Sequence, residues 1–210
     1  MNRAALAGVF LSLLAGLWQI APPNFSAGQN LSPNEERIES GETLSPTGTK
    51  IVYRIRLLPV TSFPNLPSPV AAELIRRQCM IPQSFEAKQP ENVIHGAFRA
   101  PGSRDWAALC ASQGVTSLLV FFSGQFESPV SLRTQPDDAW LGAEPGSSVF
   151  GSSWGISVRS VAELRAYPEF RRAAPIDHDA IDDARLERST VVHYYDSGRW
   201  LALNHSDGSD

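Results

Sequence analysis

The chain has 210 residues, of which 42% are apolar and 19% are charged, so it is long and apolar enough for one globular domain with a buried core. Its formal net charge is −4, and its only adjacent basic pairs are Arg76-Arg77 and Arg171-Arg172. Because nucleic-acid phosphates require clustered lysine and arginine side chains, the sequence predicts a protein that does not bind nucleic acid.

Residues 1–27 have the pattern of a signal peptide. Arg3 supplies a positive charge near the start, and residues 4–20 form an apolar to weakly polar run. The same run is close to the length of a membrane span, so an uncleaved N-terminal anchor is the alternative. In both cases we expect a periplasmic or secreted protein that touches a membrane only through an uncleaved N-terminal segment.

Three further regions follow the signal. Residues 28–49 are polar and contain several Gly, Pro and Ser residues, which predicts a flexible tether. Residues 50–205 form the predicted single globular domain, and residues 206–210 a disordered tail. The domain begins with residues 50–57, where apolar and polar side chains alternate as they do in a half-buried strand.

A helix is predicted over residues 68–78. Ser68 is a suitable cap, and Pro69 is well tolerated in a first helical turn. Apolar side chains at helical spacing are expected to face the core and charged ones the solvent; they are Val70, Leu74 and Ile75 against Glu73, Arg76 and Arg77.

The two cysteines, Cys79 and Cys110, are predicted to form a disulfide, since paired cysteines are the rule in an oxidising compartment. They lie 31 positions apart, and closing a loop of that size stabilises a fold by about 3–4 kcal/mol. The alternative is a free catalytic thiol, which would leave one odd cysteine open to oxidation.

Apolar runs separated by turn residues predict a small antiparallel meander around and after the first cysteine. One strand covers residues 93–99, Pro101-Gly102-Ser103 forms a turn, and the next strand begins at Asp105. We interpret His95, on the first of these strands, as a hydrogen-bonded structural residue.

This meander resembles one FG-GAP (VCBS-type) repeat of β-propellers. The resemblance rests on Gly96-Ala97-Phe98, a short Gly-containing loop, Asp105-Trp106-Ala107-Ala108-Leu109 and the apolar strand over residues 118–122. The family's loop is a calcium cage, but only Asp105 matches a ligand here, so the resemblance implies the strands and no calcium site. The whole chain also resembles exported bacterial proteins of families without an assigned activity, which implies no chemistry.

Residues 124–155 are predicted to be irregular. Within them, Gly151-Ser152-Ser153-Trp154-Gly155 fits the Gly-x-Ser-x-Gly pattern of a nucleophile elbow, although no strong strand precedes it. A hydrolase could combine Ser152 or Ser153 with His178 or His193 and a carboxylate, but the order of residues selects no triad.

The C-terminal part is predicted to contain a capped helix and a hairpin. Ser160 and Glu163 form a capping box, and Pro168 interrupts the helix early. A strand over residues 191–195 and a strand over residues 200–203 are joined by turn residues.

The most polar cluster of the chain precedes that hairpin. Asp177, His178, Asp179 and Asp183 could offer oxygen and imidazole ligands to a divalent ion. Their spacing matches no EF-hand or zinc pattern, so we favour a solvated loop and expect no cofactor.

Together these features predict an exported α+β protein with an antiparallel sheet built of meanders, about two short helices and one disulfide. Its predicted role is non-enzymatic, in recognition or envelope maintenance, with another envelope or secreted protein as a candidate partner. The alternative is a hydrolase or metal-dependent enzyme that uses the loop over residues 177–183. A site shared by residues 147–153 and 178–183 would favour the enzyme.

Overall fold

Nine strands form the larger of two sheets in the computed structural model, which describes residues 34–45 and 47–205. They are β1 (Arg37–Leu44), β2 (Lys50–Pro59), β3 (Met80–Pro82), β4 (Val93–Gly96), β5 (Asp105–Ser112), β6 (Val115–Phe121), β7 (Val130–Pro136), β8 (Leu141–Gly142) and β9 (Val149–Ser152). Their order is β7-β6-β5-β3-β2-β9-β8, with β1 beside β2 and β4 beside β5. All pairs are antiparallel except β2 with β9.

The smaller sheet contains four antiparallel strands in sequence order: β10 (Trp154–Arg159), β11 (Ala180–Arg185), β12 (Ser189–Asp196) and β13 (Arg199–His205). The α-helices are α1 (Ser68–Arg76), α2 (Val161–Ala166) and α3 (Pro168–Ala173). Within the described part of the chain, no helix has the length and apolar character needed to cross a membrane. The predicted signal (1–27) and tail (206–210) lie outside the described residues.

The two sheets pack face to face, and helices cover their outer faces. Because side chains alternate along a strand, Ala107 and Leu109 of β5 face the smaller sheet, while Ala108 and Cys110 face α1. On the far side, α2 and α3 pack against the outer face of the smaller sheet around Tyr194. Strand β5 is therefore covered on both faces, which explains its nearly continuous apolar sequence.

The prediction of an α+β fold with about two helices was wrong. The structure is 47% strand and 13% helix, with two sheets and three helices, so it is β-rich. The error arose in residues 124–155, which were predicted to be irregular but contain β7, β8, β9 and the start of β10. Strand β7 is largely exposed at the edge of its sheet, so backbone pairing with β6 defines it and its sequence carries little apolar alternation.

Residues 37–44, which lie in the predicted tether, form β1. This strand pairs with β2 along its whole length, from Arg37 opposite Leu57 to Leu44 opposite Lys50. The ordered domain therefore begins before position 50.

Helix α1 is confirmed, but its buried face differs from the predicted one. Val70 and Leu74 are fully buried, whereas Ile75 is 54% exposed and Glu73 only 6%. Glu73 lies at helical spacing from Val70, on the buried face, and its carboxylate accepts hydrogen bonds from Arg76 and Arg77 at 2.6–2.7 Å. These bonds, with burial opposing them, lower the pKa of Glu73 to about 2.

The start of α1 also differs, because Ser68 makes no capping hydrogen bond and Pro67 occupies the cap position. Two other local predictions are confirmed. Ser160 and Glu163 form a complete capping box at the start of α2. The hairpin between β12 and β13 turns through Ser197 and Gly198, both with positive φ, as a two-residue turn requires.

The predicted disulfide between Cys79 and Cys110 is confirmed. It joins the segment that follows α1 to the middle of β5, with 4.9 Å between the two Cα atoms, inside the core beneath the helix. A disulfide of this kind is typical of proteins in an oxidising environment outside the cytoplasm.

Candidate functional site

The two serines of the nucleophile-elbow pattern lie on and just after β9. The Ser152 hydroxyl accepts a hydrogen bond from the Trp154 amide at 3.2 Å, and the Ser153 hydroxyl is buried without a hydrogen-bond partner. Ser153 lines a small cavity of ≈ 260 Å³, and none of the described residues in that lining is a histidine. The chain runs from strand to strand here, whereas a nucleophile elbow leads from a strand into a helix.

Asp183 lies at the centre of a polar network between the two sheets. Its fully buried carboxylate accepts hydrogen bonds from Trp154 Nε1 at 2.7 Å, Arg133 Nε at 2.6 Å and His193 Nε2 at 3.0 Å. Burial alone would raise the pKa of the Asp183 carboxyl, but the hydrogen bonds from His193 and Arg133 outweigh it and lower that pKa. Because Arg133 belongs to the larger sheet and the other three residues to the smaller, the network ties the two sheets together.

Asp177 and His178 form a separate pair beside α3. His178 Nδ1 lies 2.6 Å from the Asp177 carboxylate and 3.1 Å from the Tyr194 hydroxyl, and its ring stacks on Tyr194. The hydrogen bond from His178 lowers the pKa of the half-exposed Asp177 carboxyl. Tyr194 belongs to the outer face of the smaller sheet, so this pair packs on that face.

Asp179 has a third environment. Its carboxylate accepts a hydrogen bond from the Ala97 amide, and its own amide donates to the Ala97 carbonyl, both at 3.0 Å. The four predicted ligands are thus divided among three sets of partners. Across residues 34–45 and 47–205, no three His, Cys, Asp or Glu side chains lie together in a way that could hold a metal ion.

A groove with a volume of ≈ 890 Å³ lies where residues 62–67, before α1, meet β4 and the start of β5. Its apolar walls include the aromatic side chains of Phe63, Trp106 and Phe126 together with Leu66 and Val93. The polar side chains in its lining are Ser62, Asn65, His95, Ser103, Arg104 and Ser123. A concave, mainly apolar site with a few polar groups is the usual form of a small-molecule pocket.

Asp105 holds two loops that border this groove. Its buried carboxylate accepts hydrogen bonds from the Arg99 amide (2.8 Å), the Ser103 hydroxyl (2.5 Å) and the Ser123 amide (2.8 Å). Asp105, which the FG-GAP resemblance places at the end of the loop, therefore fixes the loops around the groove. Three donors on one buried carboxylate also give the loops a single defined arrangement.

The other two positions of the resemblance pack together next to the groove. A Cβ atom at Gly96 would lie 2.7 Å from the ring of Phe98, so only glycine fits at this position. Phe98 is fully buried in the core between the sheets.

His95 and Trp106 form the floor of the groove. They are directly paired across β4 and β5, and their ring centroids are 5.1 Å apart. His95 is exposed, so the ring that we expected to be a structural hydrogen-bonding group faces the groove instead. The alternation of side chains along β5 could have indicated that Trp106 lies on the same face as the groove. Phe63 and Phe126 lie in turn-rich segments, where no sequence pattern predicts that they line a groove.

Comparison with known proteins gives no family model, curated protein or solved structure that matches this chain. The FG-GAP resemblance accordingly stays a prediction, carried by the residues around the groove.

Proposed function

We propose that this protein is an exported, non-enzymatic binding module that holds a small molecule in the groove between residues 62–67 and strands β4 and β5. The observation that carries the proposal is the groove itself, whose ≈ 890 Å³ and aromatic walls match the size and composition of ligand sites. Its place of action is the periplasm or the extracellular space, which the signal-like N-terminus and the disulfide support.

The groove is suited to binding because other parts of the protein fix the positions of the residues that line it, so the site is preorganised. Cys79 and Cys110 belong to the core against which Phe63, Trp106 and Phe126 pack. Asp105 fixes the loops at Ser103 and Ser123, which both line the groove. A preorganised site loses less conformational entropy on binding, so more of its contact energy appears as affinity.

A hydrolase is the rival function, and the geometry favours it less. A catalytic serine needs a base within hydrogen-bond reach. The Ser153 hydroxyl has no hydrogen-bond partner, and no histidine belongs to the described lining of its cavity, so neither His178 nor His193 is placed to act as its base.

Binding of Nile red, a neutral apolar dye, tests the proposal. We expect saturable fluorescence enhancement with the folded protein, and a dissociation constant raised by about tenfold or more in Trp106→Ala and in Phe63→Ala. Phe85→Ala is the matched control, because Phe85 is an aromatic residue in the lining of the smaller cavity. Circular dichroism establishes that each variant is folded. Absence of saturable binding, or equal affinity in all three variants, would refute the proposal.

A further inference from the structure

We infer that the groove selects a small apolar molecule that carries one anionic group. This inference rests on the proposed function and adds the chemical class of the ligand. Among the residues that the structure describes, the ionisable side chains in the groove lining are those of Arg104 and His95, and none of the lining residues is a carboxylate. A ligand with a negative charge would therefore meet a cation without facing a like charge in the lining.

Two carboxylates beside the groove are already engaged in hydrogen bonds within the protein. Asp105 is buried and accepts three hydrogen bonds from its own loops. Asp179 is bonded to the Ala97 amide, behind the strand end that borders the groove. Neither carboxylate belongs to the lining, whereas Arg104 and His95 are exposed in it. Arg104 always carries its charge, and its planar guanidinium can bind a carboxylate or sulfonate through two parallel hydrogen bonds.

The cation and the aromatic surface lie side by side. Arg104 directly precedes β5, Trp106 is the second residue of that strand, and both side chains line the groove. His95 lies directly opposite Trp106 on β4. An apolar body that contacts Trp106, Phe63 and Phe126 would occupy the same groove as the Arg104 guanidinium, which could then bind a terminal anionic group.

The probe is 1-anilinonaphthalene-8-sulfonate, an aromatic monoanion, compared with neutral Nile red. We expect Arg104→Glu to weaken binding of the anion by at least about tenfold more than it weakens binding of Nile red. Arg199→Glu makes the same charge change at the exposed turn of the β12–β13 hairpin, outside the groove, and is expected to change neither affinity. Trp106→Ala should weaken both probes, because both use the aromatic surface.

The two claims fail in different ways. If Nile red binds in the groove but Arg104→Glu leaves the affinity for the anion unchanged, the ligand class is wrong and the binding function stands. If the anion does not bind while Nile red does, the ligand class is again wrong. If neither probe responds to Trp106→Ala, both the ligand class and the proposed function are refuted.

Discussion

Removal of the disulfide should cost this protein about 3.7 kcal/mol of unfolding free energy. Cys79 and Cys110 are separated by 31 positions, and the chain-entropy model converts a loop of that size to about 3.7 kcal/mol at 25 °C. The enclosed loop contains β3, β4 and most of β5. Since the unfolding free energy of a protein is about 5–15 kcal/mol, the disulfide should contribute a large share of the stability. Both cysteines are buried beneath α1, so Cys→Ala also removes some core contacts and adds to the loss.

Urea unfolding of three samples separates these contributions: the oxidised protein, the reduced protein, and Cys79→Ala/Cys110→Ala. The oxidised protein should have the highest midpoint, and the double variant should be insensitive to reductant. Without the cross-link the unfolded chain is more expanded, so we also expect a larger dependence of the free energy on urea. Thiol titration of the denatured, unreduced protein should find no free thiol. Equal midpoints for the oxidised and reduced proteins would refute the reasoning.

Two further predictions concern the carboxyl groups of Asp183, which is buried, and Glu39, which is partly buried. Asp183→Asn should lower the unfolding free energy at about pH 7 by about 3 kcal/mol, because Arg133 and His193 lose their anionic partner. The pKa of Asp183 is lowered in the folded state. Its contribution to the unfolding free energy is therefore present above the ordinary pKa of 3.8 and is lost as the pH falls through the folded pKa. If Asp183→Asn destabilised the protein as much in acid as at about pH 7, this reasoning would be contradicted. For Glu39 the dependence of stability on pH has the opposite sign, because burial first and the Asp137 carboxylate second raise the pKa of Glu39 above the ordinary 4.5. Its contribution is full below 4.5 and is lost as the pH rises through the folded pKa, so Glu39→Gln should raise the urea midpoint at about pH 7 and not at about pH 4. A urea midpoint of Glu39→Gln below that of the unsubstituted protein at about pH 7 would contradict the argument. Glu35→Gln, at an exposed position, is the control.

The local features that the sequence predicted correctly depend on neighbouring residues. The capping box needs only Ser160 and Glu163, and the last hairpin needs only its two turn residues. The disulfide followed from the number of cysteines and the expected compartment. Strands β1 and β7 were not predicted because they are edge strands without a fully buried side chain, so no core selects apolar residues along them.

The features that the sequence could not reveal depend on partners far apart in the chain. Asn92 is the clearest case: its side chain donates to the carbonyls of Pro82 and Trp154 and accepts from the Ile156 amide. Two of these partners lie more than sixty positions away, so no local pattern marks the residue. The groove is similar, because its walls come from four separate stretches of chain and only their convergence makes a site.

Acidic residues have a different role in this protein from the one that their clustering suggests. Asp105 matches a calcium-ligand position, and Asp183 belongs to the cluster considered for a divalent ion. In the structure each accepts three hydrogen bonds from the protein. A buried carboxylate needs such donors to offset its lost hydration, and here amide, hydroxyl, indole, imidazole and guanidinium groups provide what an ion would. Because the Asp105 carboxylate beside the groove is bonded to its own loops, the permanently charged side chain that the described lining presents to a ligand is Arg104, and this is why the proposed ligand is an anion.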